Sequence, residues 1–276
     1  MLAQCLSEKL GQPFVVENRS GAGGNIATLA VVSAPADGYT LLVTTVGQVV
    51  VSPHTDPSLK FDPLKDLRHI TMIGEGDYIL AVHPSVPAND IREFIALARK
   101  NPGKYNYGTA GAGSNLHLFT EYFMMTAGLD VQAVHYRGGA ALTPDLLSGQ
   151  VHVSLNGIHA FDSYFKADKL RPLLVFGRNR EPRIPDVPTA REIGMSELEV
   201  CTNWFGLHAP AGTPDPIIAT LNQVAVAHLD TPTMKDKLAG MGMRPMGDTP
   251  EGFARRLVAD YRIFGEVAKK AKIQLG

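Results

Sequence analysis

Tyr105-Asn106-Tyr107-Gly108-Thr109-Ala110-Gly111-Ala112-Gly113-Ser114-Asn115-Leu116-His117 reads as a strand, a glycine-rich turn and the start of a helix, and this passage sets the fold class. Ser114 stands where an N-cap belongs, and the helix is expected to run to about Ala127. Small residues let the backbone N–H groups of the turn face a ligand. The helix start adds roughly half a positive charge, which suits an anion, most simply a carboxylate. A tight strand–helix turn without a ligand is the alternative. Nucleotide signatures fit poorly. Leu116 takes the third glycine position of a dinucleotide fingerprint, Arg137 stands where an acidic residue belongs, and the lysine of a phosphate-binding loop is missing.

Working outward, strand-like and helix-like segments alternate. Strands are expected at 14–17, 39–45, 69–73, 79–82, 131–136, 151–155 and, as an almost unbroken apolar run, 170–176. Helices are expected at 26–34, 89–100 with Asn89 capping, 140–147 and 160–166. The opening residues 2–10 carry an apolar helical stripe closed by Gly11, with Cys5 a buried packing residue. In the last third, a strand at 204–208 leads into three helices, each opened by threonine as N-cap followed by proline: Thr213-Pro214, Thr231-Pro232 and Thr249-Pro250. Phe253, Leu257, Tyr261, Phe264 and Val267 share one face of the final helix.

Such alternation predicts an α/β fold with a mainly parallel sheet covered by helices on both faces. A chain of 276 residues, at roughly 150 per domain, suits two such sheets. The seams fall after Val82 and around Trp204 to Pro210. They give one discontinuous lobe of 1–82 plus 207–276 and a second of 83–206, with a cleft between them. Ligands of open α/β sheets sit at the carboxyl ends of strands, which selects the loops at 21–25, 45–48, 108–114 and 136–139.

Thr44, Thr45 and Gln48 close a strand and offer hydroxyl, amide and backbone donors, or form a plain loop. Arg137 is either a bidentate partner for a carboxylate or a solvated cation. Asn156 is either a ligand contact or a turn former, and His117 either lines the cleft or is a satisfied structural histidine. Nine histidines show no metal-binding spacing, so no metal and no cofactor are expected. Neither a nucleophile elbow nor an acid–base pair is recognisable, which argues against an enzyme. The net charge of −1, from 26 basic and 27 acidic residues, argues against a nucleic-acid partner. No apolar run approaches the length of a membrane helix, and the first residues lack the pattern of a signal peptide. Two cysteines, Cys5 and Cys201, define no redox framework.

Several runs, taken in order, resemble the receptors of tripartite tricarboxylate transporters, the Bug-type periplasmic proteins. They include Pro13-Phe14-Val15-Val16-Glu17-Asn18-Arg19-Ser20-Gly21-Ala22-Gly23-Gly24-Asn25, Pro35-Ala36-Asp37-Gly38-Tyr39, Asn106 to Gly111, Tyr136-Arg137-Gly138, Pro185-Asp186-Val187-Pro188-Thr189 and Ala209 to Pro214. The resemblance spans essentially the whole chain. It implies a type II periplasmic-binding-protein fold: two α/β lobes, a double crossover hinge and closure around a small carboxylated solute. That solute would pass to membrane permease subunits. It further implies that Thr109, Ala110, Gly113 and Ser114 meet the carboxylate, with Thr45 and Val46 approaching from the other lobe.

The chain departs from the family at three points. The leading signal peptide, first strand and proline-glycine loop are missing, which would leave backbone groups and apolar side chains of a sheet uncovered. His152 and Asn156 stand where members usually carry acidic residues; the uncharged Asn156 favours a plain carboxylate over an amino acid. The family location is periplasmic, whereas a chain without a leader would stay cytoplasmic. The expectation is a monomeric, non-enzymatic receptor that binds an organic acid. A small-molecule enzyme on the same scaffold and a sensor or interaction paralogue are the alternatives.

Overall fold

The structure is a computed structural model describing residues 1–19 and 21–273, with the backbone alone at Ala22. Ser20, inside one of the motifs quoted above, lies outside the described residues. The elements run α1 (Leu2–Leu10), α2 (Asn25–Val32), β1 (Leu42–Thr45), α3 (Ser52–Thr55), β2 (Leu67–Val82), α4 (Ile91–Lys100), β3 (Asn106–Thr109), α5 (Asn115–Ala127) and β4 (Gln132–His135). They continue with α6 (Gly139–Ser148), β5 (Val153–Gly157), α7 (Ile158–Lys166), β6 (Arg171–Val175), β7 (Thr202–Pro210), α8 (Asp215–Leu229), α9 (Pro232–Gly240), β8 (Met243–Pro245) and α10 (Pro250–Ala271).

The chain divides into two compact units. Met1–Glu75 with Trp204–Gly265 forms the first, and Gly76–Asn203 with the chain from Glu266 forms the second. The passages lie inside β2, β7 and α10, not in the proline-rich stretch after Val82, and the end of α10 goes with the second unit. The two strands expected at 69–73 and 79–82 are one 16-residue strand. Gly74, Glu75, Gly76 and Asp77 look like a break, yet Glu75 is buried and paired to two arginines, so the polar interruption is carried through the strand.

In the first unit, β1 pairs antiparallel with β7, from Leu42↔His208 to Thr45↔Phe205, and β2 neighbours β7 and β8. Its core joins Leu6, Ile70, Leu207, Ile218, Leu221 and Leu238. Cys5 is buried and unbridged, as its place on the apolar stripe of α1 requires. In the second unit β3 runs parallel to β4 and β5, whereas β2 runs antiparallel to β5 and β6. The sheet is therefore mixed, not mainly parallel. A strand continuing out of the first unit has no crossover helix to set its direction.

The expected strand at 14–17 does not form. The segment pairs with no strand, Val15 and Val16 are 87% and 71% exposed, and β1 stands as an edge strand with Val43 also exposed. Period-2 patterning needs a partner edge to become a strand, and the described residues supply none there.

Three helix starts differ from expectation. Asp90, not Asn89, caps α4, accepting from the N–H groups of Arg92 and Glu93 at 2.8 Å each. Of the three threonines, Thr249 acts as a cap, accepting from Gly252 N–H at 3.1 Å. Thr231 and Thr213 instead donate back to the carbonyls of His228 and Pro210, at 2.7 and 2.8 Å, and Pro214 takes the cap position of α8.

Candidate functional site

Because β3, β4 and β5 run parallel in the order β5-β3-β4, their carboxyl ends lie along one edge of the second unit's sheet. Each end opens a helix: Thr109 leads to α5, His135 to α6 and Gly157 to α7. Three helix N-termini thus share one rim. The three sequence candidates Thr109, Arg137 and Asn156 sit at these three strand ends, with the glycine-rich turn in the middle.

The turn is held by its own side chains. Gly111 (φ 135°) and Gly113 (φ 69°) adopt conformations that L side chains rarely reach, which is why the turn is built on glycine. Ser114 Oγ accepts from His117 N–H at 3.2 Å and donates to the Gly111 carbonyl at 2.7 Å, so it caps α5 as its sequence position predicts. That leaves the N–H groups of Asn115 and Leu116, in the first turn of α5, without an acceptor among the described residues.

His117 is buried, and its Nδ1 accepts from Gly113 N–H at 3.1 Å. An accepting Nδ1 requires a neutral ring with its proton on Nε2. Burial, reinforced by nearby His135 with ring centroids 4.6 Å apart, pushes the imidazole down to about 4. The Gly113 N–H expected at the carboxylate is therefore taken up inside the protein, where it orients the turn. Between about 4 and the ordinary 6.5 the native chain binds fewer protons here than the unfolded one. The stability tied to this contact is full above 6.5 and lost as pH falls through 4. A titration of His117 by NMR is expected to show the Nε2–H tautomer and a midpoint near 4. A midpoint above 6 would remove His117 from this role.

Thr109 Oγ1 lies 2.9 Å from His135 Nδ1 and donates to the Gly111 carbonyl at 3.2 Å. Ala110 is half-buried in the turn. The exposed Arg137 makes no hydrogen bond or ion pair among the described residues. Asn156 Oδ1 accepts from Gly157 N–H at 2.9 Å, which fixes its amide nitrogen outward, 3.8 Å from where a Gly139 β-carbon would stand at the start of α6. His152, at the other end of β5, bonds to Asn106 and is remote from this rim.

Three residues of the rim escaped the sequence reading. Asn115 Nδ2 donates to the Tyr78 hydroxyl at 2.7 Å, and burial holds that phenol well above its usual range. Tyr78 reaches α5 only because β2 runs antiparallel to β5, placing Tyr78 opposite Gly157. His135 is the third. A polar residue at a helix start for Asn115 and at a strand end for His135 were the available signals; Tyr78 had none.

The first unit contains the other three candidates. Thr45 ends β1, and its N–H donates to Gln48 Oε1 at 2.8 Å. Gln48 is buried, and a β-carbon at Gly24 would collide with its amide nitrogen, so Gln48 ties the 45–48 loop to the 21–25 turn. Val46 is wholly buried and has only its backbone to offer. A cavity of about 840 Å³ in this unit, lined by residues such as Leu6, Val31, Leu42 and Gln48, lies beside the unpaired segment at 14–19. Its walls are mainly apolar and hold no cation beyond Arg19 and the amino terminus, so it does not resemble an anion site. Among the described residues, no group of three or more His, Cys, Asp or Glu side chains gathers in the manner of a metal site.

Comparison with known proteins places the chain in a family. The description of the matching family, Tripartite tricarboxylate transporter family receptor, applies to residues 1–270. Protein BugT of Bordetella pertussis is 33% identical over 261 residues, 94% of this chain and 79% of that protein. The R. palustris protein Rpa4515, solved with adipate, superposes with a TM-score of 0.86 at 35% identity, covering 99% of this chain and 92% of that one. MatC of Rhodopseudomonas palustris, solved with bound malate, gives a TM-score of 0.82 at 28% identity over 96% of this chain and 91% of that one. The two-lobed α/β fold of periplasmic solute-binding proteins accounts for the arrangement described here. The chain belongs to the tripartite tricarboxylate transporter receptor family.

Proposed function

We propose that this receptor captures a small organic acid, seating one carboxylate on the start of α5. The observation that carries the reading is the shared rim of three helix N-termini, with the Asn115 and Leu116 amides unengaged and His117 fixed in its neutral form. A carboxylate there gains charge-assisted hydrogen bonds and the favourable end of the helix dipole. Thr109, Ala110 and Ser114 shape the seat, and Gly113 positions it through His117. Arg137 supplies a cation for a second anionic group, and Asn156 donates its amide to a ligand oxygen. Thr45, Val46 and Gln48 of the first unit remain candidates for ligand contact in their own right: Thr45 offers its hydroxyl, Val46 its backbone, and Gln48 acts through Thr45. Asn156 is uncharged, so a plain carboxylate fits better than an amino acid. The relatives named above are solved with adipate and malate, both dicarboxylates.

The receptor acts without transforming its ligand, in the periplasm, delivering it to membrane permease subunits. No described helix is long and apolar enough to cross a membrane. Thermal unfolding with adipate, malate and a tricarboxylate, alongside uncharged diols of matching length, tests this. A carboxylate at 100 times its Kd is expected to add about 2.7 kcal/mol to stability. Equal response to the diols, or no response to any acid, refutes the carboxylate seat, and product formation from a bound acid refutes the receptor role.

A further inference from the structure

A charge cluster within the first unit includes the residues at two of the places where the chain leaves or re-enters that unit, and precedes the third along α10. Glu75 is the last residue of the first unit on β2, and Trp204 the first residue on the return through β7. Arg256 and Asp260 lie on α10, a few residues before its passage at Gly265. Arg256 joins these segments. Its Nη2 donates to Glu75 Oε1 at 2.9 Å, and its Nε donates to both Asp260 oxygens at 2.9 Å. Arg244 of β8 reaches the other Glu75 oxygen at 2.6 Å, and the Trp204 indole N–H donates to Asp260 Oδ2 at 3.3 Å. Glu75, Asp260 and Trp204 are 4%, 1% and 0% exposed, so the two acids and the indole are buried while the Arg244 and Arg256 side chains reach toward water.

We propose that this cluster is a proton-responsive anchor: Asp260 takes up or releases a proton at the chain passages, and its charge state sets how readily those segments open. The proposal concerns the fold alone and stands whether or not the receptor reading holds. Asp248, just before α10, is half-buried and interacts with both Arg256 and Glu75. Three carboxyl groups thus stand near the Arg244 and Arg256 guanidinium groups, and burial of a carboxyl group favours its protonated form. Asp260 is the most buried of the three acids. Burial pushes it up to about 6, against the opposing pull of Arg256 and the Trp204 indole.

The remaining groups near Trp204 do not compete in this range. His69 and His208 pack on Phe253, which packs on Trp204. Burial drives His69 down to about 4 and His208 well below its ordinary value. For Asp260 the native value lies above the ordinary 3.8, so its stabilising contribution is full below 3.8 and is lost as pH rises through 6. Opening that exposes Asp260 is therefore about tenfold more favourable at pH 7.5 than at pH 5.

Trp204 is the only tryptophan of the chain, so its emission reads the cluster directly. In the full chain without ligand, emission is expected to step with a midpoint near pH 6. Asp260→Asn is expected to abolish the step and the pH dependence of hydrogen exchange in the passage segments. Arg244→Met, at a side chain 47% exposed and so tolerant of change, is expected to move the midpoint upward by removing a cation. Flat emission in the natural chain overturns the proposal, as does an unchanged step in Asp260→Asn. Should Asp260→Asn fail to fold, an unmoved midpoint in Arg244→Met overturns it equally.

Discussion

Phe253→Ala is expected to destabilise the chain by about 3–5 kcal/mol, lowering the melting temperature by on the order of 10 °C. Phe253 is fully buried on the first unit's face of α10. Its ring meets Trp204 edge-on at 5.5 Å between centroids, and lies 5.6 and 5.1 Å from the His69 and His208 rings. The backbone has adapted to it: a β-carbon at Gly206 would collide with Phe253 Cζ. Truncation leaves a void bounded by three rings and a strand, which cannot collapse far. Urea unfolding of Phe253→Ala, Gly206→Ala and the double variant checks this. Gly206→Ala is expected to harm the natural chain and to harm it less once the phenyl ring is gone, the buried His208 ring at 2.8 Å remaining in the way. Additive losses in the double variant would show that the ring and the glycine are not complementary.

Ser114→Pro is expected to weaken carboxylate binding tenfold or more while leaving the fold intact. Proline suits the backbone at this position, where φ is −70° and ψ 162°, so the main chain need not move. What disappears is polar: the Oγ cap on His117 N–H, the Oγ donation to the Gly111 carbonyl, and the Ser114 N–H bond to that same carbonyl at 3.2 Å. Loss of the cap alone costs about 1 kcal/mol of helix stability. The larger effect falls on the ligand, because the turn no longer holds the Asn115 and Leu116 amides in place, and charge-assisted bonds contribute about 1.5–3 kcal/mol each. Calorimetry with adipate measures it, and an unchanged affinity would move the seat away from α5.

Much of this could be read before any coordinates. The strand–turn–helix at 105–117 needed only local signals: a serine placed to cap, glycines where positive φ is required, and an apolar helix beyond. The same holds for the burial of Cys5 and the shared apolar face of α10. Thr213 and Thr231 show the limit of that method. A side chain that can cap a helix can equally bond back to a preceding carbonyl, and only the neighbouring backbone decides between the two. Gln48 and Val46 show a second limit. Gln48 was expected near the ligand because it follows a strand end and Val46 because of the family resemblance; only the structure shows that Gln48 joins two loops and that the Val46 side chain is buried, leaving its backbone to act.

Local chemistry in the sequence determined the strand end, glycine turn and helix start at 105–117, where the proposed anion seat lies. Hydrogen-bonding range along the chain is a few residues, so those features are self-contained. Tertiary structure alone decided that β2 runs unbroken through Glu75, because a charge survives inside a strand only when distant arginines from β8 and α10 meet it. It also decided that Tyr78 stands at the rim and that residues 14–17 remain unpaired. Strand direction and pairing are settled by partners far away in sequence, which no local pattern encodes.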